Sequence, residues 1–333
     1  MSKKVLFKIL VCALLCAAAL RDLHAQTNAP APAPAAQGAP GRGGFGGGGG
    51  GFGGGGGGFG RGNQPPPGPP APVPPEVAIP RPTADELAKI NADLKKFIDK
   101  SPDKKMLQKY ESLLTVQMPR DNPCIRPTAG GVRGPRHQAF VDTANSGDYD
   151  ILFEGDSITD WWQQAGPQGG ADVLKKHFGD DKLANFAVAG DTTQGLLWGL
   201  QNGEGQGHKP KVVMLMIGTN NTGGSTGPEI AEGVGADVAE LRKDFPSAKI
   251  LLLAIFPRGA DPTDANRQKN EVANKIVAKL HDGKHVFFMS INDKFMDKDG
   301  KLIGFRNDNL HPTAEGYEIW ANAVSPTLKK LMN

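Results

Sequence analysis

Two short sequence patterns carry residue types that together could hydrolyse an ester. Ser157 ends a Gly-Asp-Ser tripeptide, and His311 follows Asp308 by three positions. A serine hydroxyl attacks an acyl carbon only when a base removes its proton, and a neutral imidazole suits that task near pH 7. A carboxylate bonded to the other ring nitrogen fixes the tautomer of that base. Ser157, His311 and Asp308 are therefore the candidate nucleophile, base and orienting acid.

Three further groups could stabilise the negative charge that such an attack places on the carbonyl oxygen. They are the backbone amides of Ser157 and Gly190 and the side-chain amide of Asn220. Glycine at 190 suits a backbone that must approach the substrate closely. Losing one such donor typically costs about 2.7–4 kcal/mol of transition-state stabilisation. We therefore expect these three donors to form an oxyanion hole.

The candidate residues follow short apolar runs that alternate with helical patterns. Strands are predicted at 150–154, 183–188, 212–217, 250–255 and 285–289. Helices are predicted at 171–178, 192–200, 228–244, 263–280 and 313–331. This alternation, with nearly continuous apolar strands, indicates a parallel sheet covered on both faces. Ligands of such sheets bind beyond the carboxyl ends of the strands, where small and polar residues gather in this sequence.

Each pattern also has an ordinary structural explanation. Gly-Asp-Ser is a common turn, an Asp-x-x-His pair often only braces a loop, and Asp191 or Thr192 could cap a helix. Asp156 is interpreted as a loop anchor, and Arg258 as a brace for a loop rather than an anion-binding group. Trp161 and Trp162 either line the cleft or pack beneath the first helix. The order of the patterns, each after a strand, nevertheless favours catalysis.

These patterns make residues 150–332 resemble the SGNH, or GDSL-type, esterase and lipase family. The matching blocks are Gly155-Asp156-Ser157, Gly190, Gly218-Thr219-Asn220 and Asp308 with His311. Segments 197–198, 202–204, 256–259 and 267–270 are similar to the branch that contains the catalytic subunits of intracellular platelet-activating-factor acetylhydrolase. The resemblance implies a flavodoxin-like α/β/α sandwich with strand order 2-1-3-4-5. It also implies a serine esterase without metal or cofactor, with the catalytic and oxyanion roles given above.

The resemblance to this branch also limits the expected length of the acyl group. Ile158, Thr219 and Leu310 adjoin the nucleophile, the oxyanion asparagine and the base, and in that branch they would wall the acyl pocket. Branched residues there favour acetyl over long chains. A lysophospholipase or thioesterase would need a longer acyl channel. The alternative from another functional class is a glycan- or cell-wall-binding protein whose esterase fold is catalytically inactive. The presence of all the candidate catalytic and oxyanion residues argues against it.

Residues 1–25 are expected to be a signal peptide. Three lysines precede an apolar run at 9–20, and cleavage is predicted after Ala25. The run falls short of the roughly 20 residues that span a bilayer, although a short uncleaved anchor is the alternative. The expected location is periplasmic or extracellular, without stable membrane insertion after processing. The substrate would be a small-molecule, glycan or lipid ester, and the oligomeric state is left open.

Composition separates the next segment from the rest of the chain. Residues 26–82 hold 19 of the 45 glycines and 14 of the 27 prolines, which predicts a disordered linker. Residues 1–82 carry seven Lys and Arg against two Asp and Glu, whereas 83–333 carry 31 against 33. The folded part is thus slightly acidic, which disfavours nucleic-acid binding.

Residues 83–147 are expected to form a helical N-terminal extension, and 148–333 the catalytic domain. Thr83 and Glu86 form a capping-box pattern, a second helix is predicted at about 102–116, and the segment 137–144 is also predicted to be helical. After loss of the leader Cys124 would be the only thiol, so no internal disulfide is expected. Residues 293–300 hint at a calcium loop but lack carboxylates at required positions.

Overall fold

The computed structural model describes residues 65–333, which fall into two compact units. One unit contains Pro80–Arg120, and the other contains residues 65–79 together with Asp121–Asn333. The predicted leader and most of the predicted linker lie outside the described residues. In residues 65–333 no helix combines the length and the apolar character needed to cross a bilayer.

The smaller unit is helical. Its helices are α1 Ala84–Lys100, α2 Lys104–Lys109 and α3 Glu111–Leu114. The Thr83 hydroxyl accepts from the Glu86 amide, and the Glu86 carboxylate accepts from the Thr83 amide at 2.9 Å, as the capping box predicts. The single helix predicted at 102–116 is divided at Tyr110, whose φ and ψ of −112° and 13° depart from helical values.

The larger unit contains the sheet. Its elements are α4 Gly134–Ser146, β1 Ile151–Gly155, α5 Ser157–Asp160, α6 Ala171–Phe178, β2 Leu183–Asn185, α7 Thr193–Gly199, β3 Val212–Met216, α8 Gly227–Asp244, β4 Lys249–Leu253, α9 Ala265–Val277, β5 Val286–Met289 and α10 Ala314–Met332. Short 3₁₀ turns lie at Pro123–Ile125, Trp161–Gln163, Thr219–Gly223, Ala278–Leu280 and Asn292–Phe295, and a kinked π turn at Leu200–Glu204.

The five strands are parallel in the order β2-β1-β3-β4-β5, which confirms the predicted topology. Alternate residues of β3 enter different cores: Val213 and Leu215 pack on one face of the sheet, and Val212 and Met214 on the other. Because both faces are covered, the strands are mostly apolar. β1 lies between β2 and β3, so the loops after these three neighbouring strands meet at one edge of the sheet.

β2 ends at Asn185, three residues earlier than predicted. The amides of Phe186 and Val188 still donate to β1 carbonyls, at 2.9 and 3.1 Å. The amide of Ala187 between them donates to the Asn185 side chain at 3.0 Å. Regular pairing therefore ends at Asn185, although the chain stays beside β1 up to the loop that contains Gly190.

Two segments expected outside the catalytic domain pack within the unit that contains the sheet. Val77 is 3% exposed in the core, and the amides of Gly68 and Ala71 donate to carbonyls of the segment 125–127 at 2.7 and 2.8 Å. Residues 65–79 therefore differ from the expected disordered linker, because their extended backbone finds partners and Val77 is buried. Residues 121–147 also belong to this unit rather than to a separate extension.

Candidate active site

Ser157, His311 and Asp308 lie in hydrogen-bond contact. Ser157 Oγ is 2.9 Å from His311 Nε2, and His311 Nδ1 is 2.7 Å from Asp308 Oδ2. A nucleophile bonded to a base, which is in turn bonded to a third group, is the arrangement that activates a serine hydroxyl. This geometry lets Nε2 take the serine proton while the carboxylate holds the proton on Nδ1.

Ser157 is held at a sharp transition from strand to helix. It is the first residue of α5, directly after β1, and Asp156 Oδ1 accepts from the Ile158 amide at 3.0 Å at the start of that helix. Gly155 has no space for a side chain, because an added Cβ would overlap the carbonyl oxygen of Met216 on β3. The tripeptide therefore fixes the serine at the carboxyl edge of the sheet.

One carboxylate both shapes the histidine loop and orients the histidine. Asp308 Oδ1 accepts from the amides of Leu310 and His311 at 2.9 and 3.0 Å, while Oδ2 faces the imidazole. Asn309 within this turn has a φ of 52°, and its carbonyl accepts from Gly259 at 2.8 Å. Asparagine tolerates this left-handed conformation better than most residues.

The environment favours a neutral His311 and an ionised Asp308. Burial lowers the pKa of His311, the cations Arg306 and Arg258 lower it further, and the bond to Asp308 opposes both. For Asp308, burial raises the pKa, but the hydrogen bonds from His311 and the two amides outweigh it and hold the pKa below its ordinary value. A neutral imidazole beside a carboxylate is the state required to accept the serine proton.

Gly190 and Asn220 are brought together by the loops after β2 and β3. Gly190 has a φ of 84°, in a turn closed by the Asp191 amide donating to Val188 at 3.0 Å. Asn220 Nδ2 donates to the Asp191 carbonyl at 2.7 Å, which places this side chain against the turn. Among residues 65–333, no protein group accepts from the amides of Ser157 or Gly190. The site can thus offer these donors to an oxyanion.

The three residues expected to wall an acyl pocket lie in different environments. Ile158 and Thr219 are each only 1% exposed, whereas Leu310 is partly exposed. The Thr219 hydroxyl accepts from Arg258 and from Asn270, each at 3.2 Å. Burial of Ile158 and Thr219 favours a supporting role beneath the site over an open wall, and it leaves Leu310 as the accessible member.

The sequence left open whether Trp161 and Trp162 line the cleft or pack beneath the helix, and the structure shows one residue in each position. Trp161 is partly exposed and packs against the His311 ring, whereas Trp162 is fully buried in the core beside Tyr317 and Trp320. Trp161 therefore borders the site and Trp162 supports α5.

Arg133 is a buried charged residue that the sequence analysis did not single out. Its Nε donates to Asp191 Oδ2 at 2.7 Å, and its terminal nitrogens donate to Glu154 at 3.3 Å and to Glu204. Burial raises the pKa of Glu154 to about 8, although the Arg133 cation opposes this. Glu154 was the sequence signal that such a residue exists, since a carboxylate within a buried apolar strand needs a cation or a proton.

No three His, Cys, Asp or Glu side chains are grouped as metal ligands in the part of the chain that the structure describes. In the segment that hinted at calcium, Asp297 Oδ1 accepts from the amides of Asp299 and Lys301, each at 2.9 Å. That carboxylate shapes a turn.

Comparisons with known proteins agree with this architecture. A model of the GDSL-like lipase/acylhydrolase family matches residues 153–319. Platelet-activating factor acetylhydrolase IB subunit alpha2 of Gallus gallus is 35% identical over 185 residues, which cover 55% of this chain and 77% of that protein. The subunit beta homolog of Drosophila melanogaster is 33% identical over 188 residues, covering 54% and 80%.

A solved structure from Streptococcus pneumonia, named for platelet activating factor, superposes with a TM-score of 0.50 at 22% identity. It covers 59% of this chain and 92% of that chain. At this identity the match concerns the fold alone.

Proposed function

The chain belongs to the GDSL-like lipase/acylhydrolase family of ester hydrolases, and we propose that Ser157 is its nucleophile, acting on short-chain carboxylic esters. The observation that carries the proposal is the continuous contact from Ser157 Oγ through His311 to Asp308, at 2.9 and 2.7 Å. Nucleophile, base and orienting carboxylate stand in the order that the chemistry requires.

In the proposed reaction, Ser157 Oγ attacks the acyl carbon while His311 Nε2 takes the hydroxyl proton. The negative charge passes to the carbonyl oxygen, where the amides of Ser157 and Gly190 and the side chain of Asn220 donate to it. The C–O bond to the alcohol then breaks, and His311 returns the proton to the leaving oxygen. Water, deprotonated by His311, attacks the acyl-serine in the same way and releases the acid and the free serine.

The short acyl group is proposed from the resemblance to the acetylhydrolase branch, in which branched residues at positions 158, 219 and 310 would wall the acyl pocket. Ile158 and Thr219, the neighbours of Ser157 and Asn220, are almost fully buried, and Thr219 is held by hydrogen bonds from Arg258 and Asn270. These two residues support the site from beneath, which leaves the partly exposed Leu310 as the side chain that would border the acyl group. The name acetylhydrolase of the related proteins agrees with this preference.

In this proposal the protein is exported, with residues 1–25 as a cleaved leader. The support is the pattern of lysines, apolar run and small-residue cleavage site in the sequence. Intact mass and N-terminal sequencing of protein from the culture fluid or periplasm of an expressing bacterium test this part. A chain that starts at Gln26 is expected, and an uncleaved chain retained in the cell would overturn it.

The catalytic proposal is tested by Ser157→Ala and by hydrolysis of p-nitrophenyl acetate, butyrate and octanoate. The wild type is expected to hydrolyse acetate fastest, and Ser157→Ala to lose hydrolysis while keeping its melting temperature. Ser146→Ala, an exposed change on α4, is the matched control and is expected to keep full activity. Undiminished hydrolysis by Ser157→Ala would overturn the catalytic assignment. A preference for octanoate would overturn only the short-chain assignment, in favour of a lysophospholipase- or thioesterase-type enzyme.

The alcohol part of the substrate is addressed by a panel of natural esters. Acetylated xylan, acetylated sialic acid and short acyl lipids are compared by the release of acetate or fatty acid. Acetylated sugars are expected to be the better substrates if the enzyme is exported, as proposed above. Faster hydrolysis of the lipid esters would favour a lipid substrate.

A further inference from the structure

Arg133 connects three parts of the larger unit from a fully buried position. It directly precedes α4, and its guanidinium contacts Glu154 near the end of β1, Asp191 in the loop after β2 and Glu204 after α7. β1 and β2 are the strands that lead to Ser157 and Gly190. The planar fork of an arginine can hold several carboxylates in fixed directions, which a lysine cannot do.

Glycines on α7 leave room for the side chain of Arg133. Two glycines of α7, four residues apart, face the cluster. An added Cβ at Gly199 would lie 2.8 Å from Arg133 Cδ and 2.6 Å from Glu204 Oε2, and one at Gly195 would overlap Asp191 Oδ1. Any side chain at these positions would therefore displace the arginine or the aspartate.

The cluster reaches the oxyanion donors through Asp191. The Asp191 side chain accepts from Arg133 Nε at 2.7 Å, and its backbone carbonyl accepts from Asn220 Nδ2 at 2.7 Å. Asp191 is also bonded directly to Gly190 along the chain. Val132 packs against the same turn, since its Cγ1 is 3.5 Å from where a Cβ of Gly190 would lie.

We propose that Arg133 is a positioning residue for the oxyanion hole: by holding Asp191 it fixes the directions of the Gly190 amide and the Asn220 side chain. The inference rests on the proposed function and assigns no contact with the substrate to Arg133. Small displacements of groups that stabilise a transition state are costly, and a shift of about 1 Å can cost about 100-fold in rate.

The test compares Arg133→Lys with Glu204→Gln, using p-nitrophenyl acetate and a boronic acid that mimics the tetrahedral intermediate. Arg133→Lys keeps the charge but loses the fork, so kcat is expected to fall about 10- to 100-fold with KM nearly unchanged. Inhibition by the boronic acid is expected to weaken by the same factor, because its affinity reports on the oxyanion site. Glu204→Gln disturbs the same cluster but leaves the bond from Arg133 to Asp191, so its kcat is expected to stay close to that of the wild type.

If kcat falls equally in Arg133→Lys and Glu204→Gln, and the losses follow the decreases in melting temperature, then Arg133 has only a structural role. That result would overturn the proposal. Unchanged kcat in a folded Arg133→Lys would do the same. If Arg133→Lys does not fold, Asp191→Asn is tested instead, because it weakens the contact between Arg133 and Asp191 and keeps the carbonyl that Asn220 contacts. This variant is expected to lower kcat with little change in KM. An unchanged kcat overturns the proposal. Wild type and Ser157→Ala are assayed alongside, so that failure of the esterase assignment is recognised separately.

Discussion

The indole ring of Trp161 packs against the imidazole of His311, with 4.1 Å between the ring centroids and 36° between the planes. The guanidinium of Arg306 lies over the same indole, 4.1 Å from its centroid, and donates to Gln164 and to the carbonyl of Pro312 at 3.0 and 3.2 Å. His311 is therefore held beside an aromatic ring and near a cation. Burial of the imidazole and repulsion by Arg306 both disfavour its protonated form.

Replacing Arg306 by Gln is expected to shift the pH dependence of catalysis. The Arg306 cation lowers the pKa of His311, so its removal raises that pKa. Because His311 acts as a base only when neutral, the acidic limb of the kcat/KM profile should move to higher pH. Activity at pH 6 should fall more than activity at pH 8. Lys298→Gln removes an exposed cation as the control, and a profile of Arg306→Gln that coincides with it would contradict the role of Arg306.

Asp308→Asn separates the orienting role of the carboxylate from its role in the turn. An asparagine oxygen can still accept from the amides of Leu310 and His311, so the turn should be kept. Its NH2 group would then face Nδ1, which leaves the proton on Nε2, where it blocks transfer from Ser157. The expected loss in kcat is on the order of 10³- to 10⁴-fold. The measurement is kcat together with a circular dichroism melt. A folded variant within tenfold of the wild type would show that another group orients His311.

The sheet was predictable because its strands are buried on both faces. Runs such as Val212–Met216 are apolar at every position, and the helices between them have caps that can be read from sequence. The strand ends were less predictable. Regular pairing of β2 ends at Asn185 although the amides of Phe186 and Val188 still donate to β1, and the point where pairing ends depends on tertiary geometry.

The site could be predicted where residue chemistry and position agree, as for Ser157 after β1. The placement of Ile158 and Thr219 could not be predicted, because burial depends on how helices distant in the sequence pack. Arg133 was missed for a related reason: it stands in a Gly- and Pro-rich segment, and its partners come from elements far along the chain. The lone carboxylate of Glu154 in an apolar strand indicates that a partner exists but does not say which one.

Asn220→Ala tests the third of the proposed oxyanion donors. Removing one donor from such a site typically lowers kcat about 100- to 1,000-fold, and KM should change little because the charge develops only in the transition state. The control is Asn202→Ala, which removes an exposed asparagine that donates to the Trp198 carbonyl. Steady-state kinetics with p-nitrophenyl acetate distinguish the two. If Asn220→Ala raises KM without lowering kcat, Asn220 binds the ground state and is no oxyanion donor.

Asp156 should make the stability of the protein depend on pH. Burial is the main cause that raises its pKa from 3.8 to about 7, and its Oδ2 has no hydrogen-bond partner among residues 65–333. Between about pH 4 and pH 7 the folded state thus keeps a proton that the unfolded state has released. This carboxyl therefore lowers the free energy of unfolding as the pH rises through that window, by at most about 1.4 kcal/mol per pH unit.

Asp156→Asn carries a neutral side chain at every pH and should lack this contribution. Urea unfolding at pH 5 and pH 8 is expected to show a smaller loss of stability in Asp156→Asn than in the wild type. Other buried carboxyls, such as Glu154 and Asp237, have raised pKa values in both proteins, so their effects cancel in the comparison. Asp180→Asn, an exposed change, should reproduce the wild-type dependence. The same loss of stability between pH 5 and pH 8 in Asp156→Asn would mean that Asp156 is already ionised at pH 5, with Arg258 and the Ile158 amide outweighing the effect of burial.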